Sequence, residues 1–258
     1  MLLACPMQVA RAADGATASS TSVPAVSSPS SANESLVVGF MGGFVRRDAG
    51  RHAEVKLMQS LREEYPKDKA VYLAMFENRR LNEAYVLIRQ RLDTNQDGQL
   101  SDEEKRRAHI LLFGHSWGAY AVVALARRLE RDGIPVALTV QVDSVAKPFR
   151  SDRLIPANVR QAVNFYQTHG LVHGRSKITA ADPARTEILG NFRYEYEIEP
   201  PRFREYPWLA RRLMKGHIEI ESDPQVWLQV KSLLQSQLPV AITQAQTEAF
   251  NKPQAAQP

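Results

Sequence analysis

Residues 109–131 join an apolar run, a short turn with two glycines and a long helical pattern without a gap. The run is HILLF, the turn is GHSWG, and the helical pattern begins at Ala119. A strand that passes directly into a helix is half of a β–α–β unit, and such units build parallel sheets covered by helices. This segment therefore favours an α/β fold.

The same alternation continues along most of the chain. Apolar residues at helical spacing predict four helices, at 52–64, 81–92, 119–131 and 222–234. Short apolar runs predict strands at 36–40, 70–76, 109–113 and 135–142 and around AVNFY within 159–166. The last helix is expected to begin at Ser222, with Gln225 completing a capping box. Because the strands are apolar on both faces, we expect an α/β fold with a mostly parallel sheet covered by helices on both faces.

The N-terminus predicts export. Residues 1–12 are a short apolar stretch ending in Ala10-Arg11-Ala12, which fits the small-x-small pattern of a signal segment with a truncated start. Leu2-Leu3-Ala4-Cys5 also resembles a bacterial lipobox, and a plain tail is the third interpretation. We expect a secreted or periplasmic protein.

Composition bounds the remaining chain. Residues 13–34 are rich in Ser, Ala and Pro, a composition that predicts a disordered linker. We expect residues 35–240 to form the folded domain and residues 241–258 to form a disordered tail. The single cysteine excludes a disulfide and a thiolate metal site. No apolar run is long enough to span a membrane. The net charge of +5 is scattered along the sequence, which argues against a nucleic-acid interface.

The turn GHSWG carries the chemistry of a nucleophile. A serine in a sharp strand-to-helix turn has strained backbone, and flanking glycines avoid collisions there. The turn would expose the hydroxyl of Ser116 and place the N–H of Trp117 at a helix N-terminus, where it can bind an oxyanion. An incidental serine in a tight turn is the alternative.

In this setting, GHSWGA resembles the elbow of the α/β-hydrolase superfamily, which includes lipases, esterases and thioesterases. The resemblance covers residues 35–238. The low-complexity chain before Leu36 departs from the family pattern, since no antiparallel first strands are visible, and we expect a minimal α/β-hydrolase sheet.

The superfamily orders its residues as nucleophile, acid and histidine, so the resemblance implies an acid and a base after Ser116. Asp143, at the end of the strand 135–142, resembles the acid of lipases that take it from that strand. Asp182 is the alternative acid, and a turn-forming role is the plain interpretation of Asp143.

The resemblance implies that the base is His217, in KGHIEIESDP just before the last helix. His169 and His173 lie earlier, in THGLVHG, where we expect them to line a loop, and contact with substrate stays open. The superfamily takes its second oxyanion donor from the loop after the first strand. In GFMGGF this implies Phe40, with Met41 as second choice, while a plain glycine-rich turn is the alternative.

Residues 93–104, DTNQDGQLSDEE, match a twelve-residue EF-hand loop, with Gly98 at the sharp turn. The predicted ligands are Asp93, Asn95, Asp97, Gln99 through its carbonyl, Ser101 through its hydroxyl or a water, and Glu104. We expect residues 81–107 to form an inserted helix–loop–helix that binds Ca²⁺ structurally. A solvated acidic turn is the alternative.

Together these features predict a serine hydrolase that cleaves a small-molecule or lipid carboxylic ester. Thioester and amide substrates stay open. Residues 191–208 are expected to form a lid or one wall of the substrate site. The alternative from another class is an inactive calcium-binding extracellular protein on a hydrolase scaffold, and a calcium sensor is disfavoured because only one loop is present.

Overall fold

The structure, a computed structural model, describes residues 34–65, 70–147 and 150–240. The predicted signal segment, the lipobox, the linker up to residue 33 and the C-terminal tail lie outside the described residues. Every described residue belongs to one compact unit. None of the described helices is long and apolar enough to cross a membrane.

A six-stranded sheet forms the centre of this unit, and all neighbouring strands in it are parallel. Its strand order is β2-β1-β3-β4-β6-β8. The bounds are β1 Ser35–Met41, β2 Val71–Glu77, β3 His109–His115, β4 Val136–Val142, β6 Val159–Tyr166 and β8 Glu187–Arg193. A separate two-stranded pair joins β5 Leu154–Ile155 to β7 Thr179–Ala180. The predicted α/β fold with a parallel sheet is confirmed.

Helices cover both faces of the sheet. They are α1 Ala53–Glu64, α2 Leu81–Leu92, α3 Asp102–Arg106, α4 Trp117–Arg131, α5 Trp208–Leu213, α6 Lys215–Ser222 and α7 Pro224–Gln235. Single 3₁₀ turns lie at Asn78–Arg80 and Phe203–Glu205. The predicted N-cap of the last helix was one residue early, because the Asp223 side chain accepts the N–H of Gln225 at 2.8 Å.

Two apolar cores lie on opposite faces of the sheet. Val37 of β1 packs in one core with α1 and α7, and Val38 packs in the other with α2 and α4. This alternation follows from the two-residue period of a strand. Because α2 packs in the second core, it belongs to one of the helical layers that cover the sheet. The predicted insertion, residues 81–107, therefore begins with a helix of the crossover between β2 and β3.

Strand β8 was not predicted. Its sequence, EILGNFR, mixes polar and apolar residues, and its side chains are half-buried or exposed because it lies at the edge of the sheet. A register shift between β6 and β8 accompanies Gly190, and the ring of Phe192 stacks on Phe165 with centroids 5.5 Å apart. The segment 191–208 is therefore not a single lid, since its first three residues complete the sheet.

The parallel topology brings the carboxyl ends of the strands to one edge, here called the reactive edge. Ser116 follows β3 directly and Asp143 follows β4 directly. Residues after adjacent parallel strands lie side by side, which is where open α/β sheets place their ligand sites.

Candidate active site

Ser116 occupies the turn between β3 and α4. Its backbone has φ 58° and ψ −125°, in a region that non-glycine residues rarely adopt. The Ser116 N–H donates to the carbonyl of Val142 at 3.0 Å, which ties the turn to the end of β4. Strained backbone held by its surroundings is typical of functional sites. The structure therefore shows the strained strand-to-helix turn that the sequence predicts.

Two glycines make this turn sterically feasible. A Cβ atom on Gly114 would lie 2.6 Å from the backbone carbon of Gly118. A Cβ atom on Gly118 would lie 2.2 Å from the carbonyl oxygen of Phe40, on the neighbouring strand. Both distances are far below van der Waals contact, so the two glycines allow α4 to start against β1 and β3.

Asp143 and His217 form a buried pair at the reactive edge. The Nδ1 atom of His217 lies 2.6 Å from Oδ2 of Asp143, and the two side chains are 3% and 0% exposed. His217 precedes the last helix, α7, as the sequence predicts, and it lies within the short helix α6, which was not predicted. The helix fixes the ring more firmly than a loop would, because its backbone is held by regular hydrogen bonds.

The carboxylate of Asp143 accepts three further hydrogen bonds. Oδ1 accepts the N–H of Gly174 at 2.7 Å and that of Gln167 at 3.3 Å, and Oδ2 accepts the side-chain amide of Gln167 at 2.8 Å. A Cβ on Gly174 would lie 2.5 Å from the backbone carbon of Asp143, so a glycine is required there. Sequence analysis missed Gln167 and Gly174, although Gln167 directly follows β6 at the same edge.

The other predicted candidates lie elsewhere. Asp182 caps a turn before β8, where its Oδ1 accepts the N–H of Ala184 at 3.0 Å, and this turn is at the amino end of the strand. His169 and His173 are loop residues after β6, and both are exposed. The structure thus brings Asp143, and not Asp182, together with His217.

The predicted oxyanion donors differ in their positions. Trp117 is the first residue of α4, where backbone N–H groups have no partner within the helix. Phe40 lies inside β1 with register partners on both sides, so its N–H belongs to the sheet. This argues against the N–H of Phe40 as the second oxyanion donor. The glycine turn that follows β1 is the part of the chain that lies beside Ser116. A Cβ on Gly42 would lie 3.1 Å from Cβ of Ser116.

A second group of buried titratable residues adjoins this pair. The rings of His115 and His217 stack with centroids 4.5 Å apart, and Nδ1 of His115 lies 3.8 Å from Oε1 of Glu54. Burial lowers the pKa of His115 well below its ordinary value, with the charges of His217 and His52 as further causes. Burial, together with the charge of Glu221, raises the pKa of Glu54 to about 8. Glu54 was not predicted, although it is a carboxylate on the buried face of an amphipathic helix.

The acidic loop 93–104 connects α2 to α3 as the sequence predicts. Asp93 is the C-cap of α2, and its carboxylate accepts the N–H groups of Asp97 at 3.2 Å and Gly98 at 2.8 Å. Asn95 Oδ1 also accepts the N–H of Asp97, at 3.0 Å, so these two side-chain oxygens converge on one donor. The left-handed backbone at Gly98, with φ 81°, makes the turn that the EF-hand pattern requires.

Glu104 closes this loop. Its Oε1 accepts the N–H and hydroxyl of Thr94 at 2.8 and 2.9 Å, and its Oε2 accepts the N–H and hydroxyl of Ser101 at 2.9 and 2.8 Å. Ser101 and Glu104 form a capping box at the start of α3. Hydrogen bonds from Ser101, followed by those from Thr94, lower the pKa of Glu104 to about 2. The carboxylate therefore stays ionised and joins both ends of the loop.

No family profile matches the chain, and no curated protein matches it. Among solved structures, it is similar to an arylesterase with 14% identity and a TM-score of 0.30, over 47% of this chain and 40% of the other. The chain thus matches less than half of that protein's length, and this overlap carries no argument about the reaction.

Proposed function

We propose that this protein is a serine hydrolase that cleaves carboxylic esters, with Ser116 as nucleophile, His217 as base and Asp143 as acid. The observation that carries the proposal is the buried hydrogen bond of 2.6 Å between His217 Nδ1 and Asp143 Oδ2, beside the strained turn of Ser116. A carboxylate on Nδ1 fixes the tautomer of the ring, and the free Nε2 then serves as a proton acceptor.

The reaction follows from these roles. Nε2 of His217 takes the proton of the Ser116 hydroxyl while Oγ of Ser116 attacks the acyl carbon of the ester. The same nitrogen protonates the leaving alcohol, which leaves an acyl-enzyme ester on Ser116. A water that loses its proton to His217 then attacks this ester, and His217 returns the proton to the Ser116 oxygen as the acid leaves. Asp143 stabilises the imidazolium in both halves.

The oxyanion of each tetrahedral intermediate needs two donors. Trp117 supplies its N–H from the start of α4, and the turn 41–43 supplies the second donor in place of Phe40. Met41, the second choice from the sequence, ends β1, and Gly42 lies against Ser116. Removing one such donor from a hydrolase costs about 100- to 1,000-fold in kcat.

Apolar side chains near Ser116 favour an apolar acyl group. Phe44 is 83% exposed, and its ring packs edge-on against Trp117 with centroids 5.3 Å apart. This aromatic pair offers an apolar surface beside the nucleophile turn.

A Ca²⁺ ion in the loop 93–104 belongs to the same proposal. The donor set fits a hard cation, since Asp93, Asn95, Asp97 and Glu104 offer side-chain oxygens and Gln99 and Ser101 complete the EF-hand pattern. The hydrogen bonds from Thr94 and Ser101 hold Glu104 against both ends of the loop. The ion would neutralise these carboxylates and stabilise the crossover that leads into β3.

The test is a steady-state assay on 4-nitrophenyl esters of increasing acyl length. We expect turnover by the wild type, loss of turnover in Ser116→Ala and His217→Gln, and activity near wild type in the matched control Asp182→Asn. Equal activity of Ser116→Ala and wild type would refute the proposal. An inactive wild type that still binds Ca²⁺ would favour the calcium-binding scaffold instead.

A further inference from the structure

A second cluster of ligand-type side chains lies behind the catalytic pair. One ligand atom from each of His52, Glu54 and Glu221 lies within 4.8 Å of the other two, and all three residues are buried. His52 precedes α1, Glu54 lies in its first turn, and Glu221 lies near the end of α6. The cluster therefore joins two helices that are far apart in the sequence.

The cluster places two buried carboxylates close together, and one of their oxygens has no hydrogen-bond partner among the described residues. The side chains of Glu54 and Glu221 are 1% and 5% exposed, and each charge disfavours the other. His52 Nδ1 approaches Oε1 of Glu221 at 2.9 Å, but Oε2 of Glu54 is buried and has no hydrogen-bond partner among the described residues. Burying a carboxylate oxygen without a partner is costly, and a cation removes that cost.

We propose that His52, Glu54 and Glu221 bind a transition-metal dication of the Zn²⁺ type. One imidazole nitrogen and two carboxylates form a ligand set that Zn²⁺ and Mn²⁺ share, whereas Ca²⁺ prefers oxygen donors alone. Two ligand atoms on one tetrahedral Zn²⁺ ion lie about 3.4 Å apart. Since the three ligand atoms lie within 4.8 Å of one another, binding needs a contraction of at most about 1.4 Å.

Neighbouring groups orient these ligands. The Tyr206 hydroxyl donates to Oε2 of Glu221, and the indole N–H of Trp227 donates to the Glu221 carbonyl at 2.8 Å. Such outer hydrogen bonds commonly fix metal ligands. On the other side of His52, the Nε–H of the exposed Arg51 side chain donates to Nε2 at 3.4 Å. Nδ1 of His52 therefore faces the carboxylates and is the ligand atom. When the metal binds Nδ1, the remaining ring proton lies on Nε2, and the exposed Arg51 side chain, which can only donate, turns away from it.

The position of the site gives the ion a structural role. Glu221 lies one helical turn after His217 on α6, and Glu54 lies beside His115, whose ring stacks on His217. An ion at the cluster would cross-link the start of α1 to the end of α6. The site does not depend on the hydrolase proposal, since none of the three ligands takes part in that reaction.

The test is a titration of the metal-free, full-length protein with Zn²⁺ alone, in saturating Ca²⁺ so that the acidic loop does not compete. Calorimetry and thermal unfolding are the readouts. We expect one equivalent of Zn²⁺ to bind and to raise the melting temperature. Glu54→Gln and His52→Ala should each weaken binding by about 100-fold or more, because losing a ligand costs more than losing an outer partner.

The matched controls are Glu219→Gln and Ser116→Ala, which should bind Zn²⁺ as the wild type does. Glu219 is a buried glutamate on the same helix but outside the cluster. X-ray absorption at the zinc edge should show nitrogen and oxygen ligands without sulfur, which separates the site from adventitious binding at Cys5. Binding that survives Glu54→Gln in a folded protein, or no binding by the wild type, would overturn the proposal.

Discussion

The reactive edge and the acidic loop 93–104 are built in opposite ways. At the reactive edge, Asp143 is held by Gln167, Gly174 and His217, which lie 24, 31 and 74 positions further along the chain. In the acidic loop, the hydrogen bonds of Asp93, Asp97 and Glu104 span only two to ten positions. The first region therefore depends on the whole fold, whereas the second is specified by twelve consecutive residues.

This difference predicts which property of the protein a substitution in each region should affect. A change at the reactive edge alters a geometry to which several elements contribute, and it should affect the chemistry. A change in the acidic loop alters a local clamp on one crossover, and it should affect stability more than turnover. Matched variants of the two regions test this contrast.

Asp143→Asn should lower kcat/KM for an ester by about 10,000-fold, because the amide leaves the imidazole in the wrong tautomer. The measurement is steady-state hydrolysis, with melting temperature as a check on folding. Asp97→Asn, in the acidic loop, is the matched change and should leave kcat/KM within about twofold. Similar losses of kcat/KM in the two variants would contradict the expected difference between the two regions.

Gly118→Ala should destabilise the fold by about 3 kcal/mol or more, because overpacking commonly costs about 1–3 kcal/mol and here the obstacle is backbone. The added Cβ would lie 2.2 Å from the Phe40 carbonyl oxygen. Denaturant unfolding measures the change. Gly50→Ala is the control, since a Cβ atom added there would meet no neighbouring atom within 4 Å, and it should change stability by about 0.5 kcal/mol at most.

Gln167→Leu should lower kcat by about 10- to 100-fold, because hydrogen bonds to charged groups contribute about 1.5–3 kcal/mol. KM should stay near the wild-type value if Gln167 acts only through Asp143. The control is Gln161→Leu, which should leave kcat unchanged, because Gln161 lies within β6 and its side chain is bonded to Glu187. A rise in KM with constant kcat would instead place Gln167 in substrate binding.

Glu104→Gln should abolish the stabilisation by Ca²⁺ and leave catalysis at 25 °C nearly intact. An ion at about 100 times its Kd stabilises by about 2.7 kcal/mol, which corresponds to about 5–10 °C in a domain of this size. Calorimetric scans with Ca²⁺ and with chelator measure this shift. A loss of turnover in the folded variant would show that the loop controls the reactive edge.

The contrast also explains what could be predicted from the sequence. The βα turn of Ser116 and the loop 93–104 are local patterns, and the structure has the predicted turn and helix–loop–helix there. Assigning Asp143 and His217 required the chain order of a family, because nothing local joins them. Gln167 and Glu54 were missed for the same reason, since an isolated polar residue does not reveal which distant group it contacts. Strand β8 was missed because edge strands lack an apolar pattern on both faces.

The most direct test of the account is labelling with a fluorophosphonate, followed by mass spectrometry of the modified peptide. We expect one adduct, on Ser116, formed rapidly by the wild type, slowly by Asp143→Asn, and not at all by Ser116→Ala. We also expect that chelating Ca²⁺ leaves labelling of the still-folded protein unchanged. No adduct on the folded wild type, or an adduct on another residue, would contradict it.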